Sequence, residues 1–289
     1  MAKLTVLIPC KDERLNIRAC IESARLVADE ILVADSGSTD DTLRIVRDLG
    51  GCRVIKREYV TPSDFKNWAL GHATHDWVLV LDADERVTPE LGREIRELLS
   101  SGPDCDAYQL HRDHYFLGHR IRHCGWDHHA ITRLFRRSEC QYDHRRVHEE
   151  VEVPSGRLGD LEHTLEHFTA WDLDSFVGKQ NRYSTWAAED MHDQGRSHGL
   201  GRILMRGPLR FLQLYLLRGG ILDGVSGLIV CSIMAHYAFL KSAKLWAMDH
   251  AESHPLGAVP KSEKSWQRAT IPISSRVAAT ARLATRQAA

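Results

Sequence analysis

What most constrains this chain is a rhythm in its first hundred residues. Short apolar runs at 4–8 (LTVLI), 30–35 (EILVAD), 52–56 (CRVIK) and 76–81 (DWVLVL) alternate with stretches of helical spacing. Leu15, Ile17, Ile21 and Ala24 recur at helical intervals between Arg14 and Leu26. Leu43, Ile45 and Val46 follow an N-cap expected at Thr39 or Asp40, and residues 63–73 predict a third helix. Strands that are apolar without alternation are buried on both faces, and strand–helix repetition covers both faces with helices. The predicted fold is α/β, a Rossmann-like, mostly parallel sheet covered by helices. In such sheets the ligand lies outside the strand C-termini. Polar clusters follow three of the strands: Lys11-Asp12-Glu13, Asp35-Ser36-Gly37-Ser38 and Asp82-Ala83-Asp84.

The last cluster has the most chemistry. In an extended strand end residues i and i+2 face the same way, so Asp82 and Asp84 address one site. Two carboxylates bind Mg²⁺ or Mn²⁺ incompletely, and such ions complete their shell with water and phosphate oxygens. A metal–diphosphate is one reading; a plain surface turn is the other. Asp35 either accepts from a base N–H or caps the next helix. Lys66 either meets a phosphate or is a solvated helix lysine.

Residues 101–168 change character, with short apolar runs and eight of the seventeen histidines between 111 and 148. They predict β-rich structure closing over the crevice. Residues 172–192 read as helical again. A zinc site among His111, His114, His119, His123, His128 and His129 fits no ligand spacing, and neighbouring arginines oppose it. Formal net charge is −1, which argues against nucleic acid as a partner. Seven scattered cysteines without a Cys-x-x-Cys pair read as reduced thiols. The opening MAKLTVLIPCKDER lacks the apolar core of an export signal and is expected to belong to the fold.

The motifs IPCKDERLNI, ILVADSGSTDDT and FKNWALGHATHDWVLVLDADERVTPEL, in this order and spacing, resemble the N-terminal half of family 2 glycosyltransferases. YFLGHRIRHCGW, RLFRR, VHEEVEV, NRYSTWAAED and the run 218–246 narrow the resemblance to the lipopolysaccharide core β-glucosyltransferase subgroup. It spans about residues 3–247. It implies a GT-A fold and an inverting transfer of a hexose, glucose from UDP-glucose, to an inner-core heptose, assisted by Mg²⁺ or Mn²⁺. Alternatives are another polysaccharide, lipid carrier or peptide as acceptor, or a nucleotide-sugar-binding protein without catalysis.

The resemblance implies that Pro9, Lys11, Glu13 and Asp35 line the uridine pocket. Ser36 stands where many members carry a second Asp. Lys66 and Asn67 lie near the diphosphate, and Asp82, Ala83 and Asp84 form the metal–diphosphate motif, with Asp82 and Asp84 as metal ligands. An inverting transferase needs a base for the acceptor hydroxyl. Glu149, with His148 orienting it or touching phosphate, is the first candidate and Asp127 the second. Asp127-His128-His129 departs from the subgroup's pattern. The expected division is a catalytic domain over 1–170 (nucleotide-sugar half 1–100, acceptor half 101–170), a helical region over 171–250, and a disordered tail over 251–289.

Residues 203–246 are apolar with spaced Arg and Lys. A helix is expected from Pro208, with Arg210, Gln213 and Arg218 on one arc. The most apolar window, Leu228 to Leu240, is shorter than a membrane span needs. A helix lying in the headgroup layer is expected, on the cytoplasmic face of the membrane, where a lipid-linked acceptor meets a cytosolic sugar nucleotide.

Overall fold

The computed structural model describes residues 2–126, 130–143 and 149–250. Asp127, His128, His129, His148 and the tail 251–289 lie outside the described residues.

The first half follows the apolar rhythm. β1 (Leu4–Cys10), α1 (Ile17–Ala24), β2 (Glu30–Asp35), α2 (Thr42–Leu49), β3 (Cys52–Lys56), α3 (Pro62–Leu70) and β4 (Trp77–Val80) succeed one another. β1 pairs in parallel with β2 and β4, and β2 with β3. Alternate residues of β1 serve two cores, because strand side chains alternate in direction. Leu4, Val6 and Ile8 pack with Ile17 and Ile21 of α1. Leu7 packs on the other face with Phe65 and Ala69 of α3. Thr61 caps α3, its side chain accepting from the Asp64 N–H at 3.2 Å, and Pro62 opens the helix.

The second half extends this sheet and adds another. β5 (Glu85–Val87) and α4 (Pro89–Ser101) lead into β6 (Ala107–Leu110), β7 (Arg112–Phe116), β8 (His119–Ile121) and β9 (Ile131–Arg136). β10 (Gln141–Tyr142), β11 (Val151–Glu152), β12 (Leu158–Asp160) and β13 (Leu165–Ala170) follow. The main sheet has the order β12-β6-β9-β4-β1-β2-β3. It is mostly parallel, but β9 runs antiparallel to both its neighbours, β4 and β6. A four-stranded sheet of order β5-β13-β7-β8 grows from the end of β4, since β5 follows the Asp82–Asp84 turn directly.

The remainder is helical: α5 (Leu173–Asp193), α6 (Leu200–Leu212), a π-helical turn (Gln213–Leu217), a 3-10 turn (Gly220–Asp223) and α7 (Gly224–His250). Pro208 lies inside α6 and does not open it. The helix begins eight residues earlier, at Leu200, because Ile203 and Gly207 bury against the body and hold the preceding turns. Gly207 packs closely on α7: a Cβ would stand 3.4 Å from Cβ of Phe239. A third core joins Phe116, Ile121 and Cys124 to Phe176, Leu214, Val230 and Cys231. Residues Gly220–His250 are long and apolar enough to cross a membrane by length and composition. One side of α7, including Val230, Cys231, Ala235 and Leu245, is buried against the rest of the chain.

Candidate active site

β4 ends at Val80, and residues 82–85 turn tightly instead of continuing extended. The Glu85 carboxylate accepts from the Asp82 N–H at 3.0 Å, and the Asp82 carbonyl from the Glu85 N–H at 2.8 Å. The i, i+2 argument therefore gives way to a turn in which the two aspartates meet different partners. Asp82 is held by Lys66, with Nζ at 3.4 Å, and by Arg133. Asp84 faces Nε2 of His167 at 3.3 Å and Nζ of Lys179 at 4.0 Å.

Each partner is delivered by the topology. Lys66 is buried on α3, 9% exposed, under the sheet end. Arg133 stands one residue beyond the Leu79–Leu134 register pair, beside the end of β4. His167 pairs with Glu85 across β13 and β5, which brings its ring to Asp84. Lys179 comes from α5. Below the turn Arg86 donates to the carbonyls of Ala83 and Glu85 at 3.0 and 2.8 Å and to Asn16 Oδ1 at 3.1 Å. Ala83 is thus a backbone anchor of the turn, its side chain buried.

The electrostatics keep both aspartates ionised. Burial acts to raise the Asp82 carboxyl, but Arg133 and Lys66 outweigh it and hold the group well below the usual range. Burial is likewise outweighed at Asp84, where His167 leads in pulling the carboxyl down to about 2. Glu85 is fully buried and shares Arg133 with Asp82, at 2.7 Å, with Arg112 at 3.4 Å. Glu13 goes the other way: burial, then the charges of Asp84 and Asp82, push it up to about 7 against its hydrogen bond from Asn16 and the pull of Lys179.

Glu149 lies just before β11. Its carboxylate accepts from Lys66 Nζ at 2.8 Å, which makes Lys66 the bridge between Glu149 and Asp82. Asn67 is spent elsewhere: its amide donates to the Tyr142 carbonyl and accepts from the Tyr142 N–H, both at 2.9 Å. At the β1–β2 end, Asp35 is 1% exposed and accepts from the N–H groups of Gly37 at 3.1 Å and Ser38 at 3.0 Å. Ser36 donates its N–H to the Cys10 carbonyl at 3.0 Å. Pro9 is half-buried there and Lys11 exposed.

Among the described residues no three His, Cys, Asp or Glu side chains converge as a metal set. A Mg²⁺-type ion does not need three: it takes one or two carboxylates and completes its shell with water and phosphate. Adjacent ligands of an octahedral ion at about 2.1 Å sit roughly 3 Å apart, and Asp84 Oδ2 and His167 Nε2 are 3.3 Å apart. An ionised carboxylate beside an imidazole nitrogen at that spacing fits a divalent cation.

Sequence reasoning assigned no role to Arg133, His167 or Lys179. Arg133 was visible only as part of RLFRR, and His167 was one histidine among seventeen.

A nucleotide-binding type of sheet with carboxylates and cations gathered at the end of its fourth strand defines a class, and the chain belongs to it: glycosyl transferase family 2, whose model matches residues 5–151. Within the family it is 31% identical to the lipopolysaccharide core biosynthesis glycosyltransferase LpsC of Rhizobium meliloti, over 87% of this chain and 95% of that one. It is 26% identical to an uncharacterised glycosyltransferase of Rickettsia felis, over 92% and 96%. Among solved structures, glucosyl-3-phosphoglycerate synthase from Mycobacterium tuberculosis overlaps 38% of this chain and 43% of its own, with 26% identity and a TM-score of 0.34.

Proposed function

We propose that this glycosyltransferase moves a hexose, glucose from UDP-glucose, with inversion onto a heptose of the lipopolysaccharide inner core, at the cytoplasmic surface of the membrane. The observation that carries the transfer reading is the turn at 82–85, whose two ionised aspartates stand between Lys66 and Arg133 on one side and His167 and Lys179 on the other. The core assignment is supported by the relative of that name in Rhizobium meliloti.

A diphosphate brought to this turn gains a site lined with fixed cations. Arg133 and Lys179 offset charge that grows on the leaving group, and being held by the protein they need no reorganisation as the reaction proceeds. Asp84 and His167, with Asp82, would hold a Mg²⁺ or Mn²⁺ ion, which supplies Lewis-acid stabilisation of the leaving diphosphate. Pro9, Lys11, Glu13, Asp35 and Ser36 form the nucleoside end. Asp35 acts there by shaping the Gly37–Ser38 loop, because its oxygens already accept from that loop.

Glu149 is the proposed base. Its bond to Lys66 fixes it near the diphosphate end, and release of Lys66 to an incoming phosphate would free the carboxylate for the acceptor proton. Glu149→Gln is expected to lower kcat roughly 10²–10⁴-fold with KM for the donor little changed. An equal loss confined to donor KM would assign Glu149 to binding instead.

The test of the whole reading is incubation with a panel of UDP- and GDP-sugars and deep-core lipopolysaccharide, with and without chelator. Transfer of glucose from UDP-glucose, abolished by chelation and restored by Mn²⁺, is expected. Transfer from GDP-sugars alone would sink the uridine assignment.

A further inference from the structure

The helical region carries a surface the transfer chemistry does not use. At about 100° per residue Arg202, Arg206 and Arg210 fall within one arc of α6 roughly 80° wide. Ile203 and Gly207 are buried toward the body. Leu204, Met205, Leu209 and Leu212 look away from it and are 60, 52, 56 and 47% exposed. The turns beyond carry Leu217 at 82% and Leu222 at 73% exposure, and the start of α7 carries Val225 at 74%. A monomeric protein rarely leaves so many large apolar side chains contiguous in water.

The cations beside this face are gathered without counter-charge. Burial, with Arg206 and Arg210 alongside, pushes the Lys241 ammonium of α7 down. His198 is 4% exposed with its Nδ1 lacking a hydrogen-bond partner, and it faces Arg202, Arg206, Lys241 and Arg196. Among the described residues none of these arginines nor Lys241 is ion-paired with a carboxylate. Asp223, in the turn beyond, is engaged by the N–H groups of Arg122 and His123 at 3.1 and 2.9 Å. Like charges held close on a partly buried face repel unless an anion joins them.

We propose that α6, the turn at 213–223 and the start of α7 dock on a bilayer of anionic phospholipid, with Arg202, Arg206, Arg210 and Lys241 meeting headgroup phosphates and the exposed leucines entering the acyl boundary. This deepens the membrane-surface reading above and rests on it. A cationic flank beside an apolar face is what an interfacial helix requires, and anionic headgroups attract each such charge. A second copy is the poorer occupant, since a two-fold interface sets the same patch against itself and brings arginines against arginines.

The surface also adjoins the reaction. Asp223 holds the loop at Arg122 and His123. Trp126, farther along that loop, packs 5.3 Å from His114, whose Nδ1 lies 3.0 Å from Nδ1 of His167, the partner of Asp84. Docking in this orientation presents the acceptor side of the site at the lipid surface.

Flotation of the full chain with vesicles of phosphatidylcholine alone, or mixed with phosphatidylglycerol, tests this. Anionic vesicles are expected to retain the chain in a salt-sensitive way. The double variant Arg206→Gln with Lys241→Gln is expected to weaken that retention roughly thirtyfold. Leu217→Asp with Leu222→Asp, both exposed and so compatible with folding, is expected to remove it, with circular dichroism unchanged in each case. Equal retention by both vesicle types would overturn the headgroup proposal and leave the membrane-surface reading standing. No retention by either would overturn both. A dimer in solution that Leu217→Asp dissolves, without vesicle binding, would give the face to a second copy.

Discussion

At the residue scale the site depends on a few ionised groups whose state is set by neighbours. Asp84 is held near 2 by His167 and Lys179 despite burial, so it is a carboxylate at every working pH. Asp84→Asn keeps the shape and removes the charge. Transfer is expected to fall roughly 10²–10³-fold, the scale on which one fixed electrostatic group acts, and the residual rate should lose its response to Mn²⁺. A folded variant that transfers normally would remove Asp84 from the site. Glu13 supplies a pH signature. Its carboxyl is pushed up to about 7 from an ordinary value of 4.5. Between those values the folded chain binds a proton that the unfolded chain has released, so stability falls as pH rises through that window. Glu13→Gln is expected to flatten this fall, read as denaturant midpoints between about pH 4.5 and 7 in the metal-free chain. An unchanged slope would mean the burial of Glu13 is not what sets its charge. These assignments were only partly legible. Asp82 and Asp84 announced themselves because two acids after five apolar residues are conspicuous. Arg133 and His167 did not, because nothing local distinguishes a strand arginine or histidine that faces a carboxylate from one that faces water.

At the element scale α3 matters most, since it carries Lys66 beneath the turn. Its start is written in Thr61-Pro62: an oxygen to accept the Asp64 N–H, then a residue with no N–H to satisfy. Thr61→Ala is expected to cost about 1 kcal/mol, seen as a fall of roughly 2–4 °C in Tm for a chain of this size. The strands of the first half were readable because a strand buried on both faces must be apolar throughout. β9 was not readable as the strand that reverses direction inside the sheet. Its sequence, ITRLFR, is compatible with either direction, and pairing with β4 on one side and β6 on the other is a long-range matter. The start of α6 was misplaced for a related reason. Pro208 is a good opening residue in isolation, yet packing of Ile203 and Gly207 sustains the helix through the missing N–H.

At the scale of the whole molecule, the helical region meets the second sheet through the third core, and a tight joint at Asp223 holds the loop beyond β8. Gly227 permits it: a Cβ there would lie 2.0 Å from the Gly220 carbonyl oxygen and 2.9 Å from Cβ of Asp223. Gly227→Ala is expected to cost about 1–3 kcal/mol by overpacking and to loosen the grip of Asp223 on its loop. Faster hydrogen exchange at the Arg122 and His123 amides would record it, and unchanged protection would show that the joint tolerates the methyl group. The same joint links the surface proposed to meet lipid with the loop that leads to His114 and His167.

The sequence by itself determined the parallel α/β half and the pair of acids that follows its fourth strand. Those properties rest on local periodicity and on residues adjacent in the chain. Only the tertiary structure decided which cations face the two aspartates, that Lys66 joins Glu149 to Asp82, and that Arg202, Arg206 and Arg210, without an ion pair among the described residues, flank an exposed apolar face. Each of those depends on strands and helices far apart in sequence coming into register, and register is set by how the whole core packs.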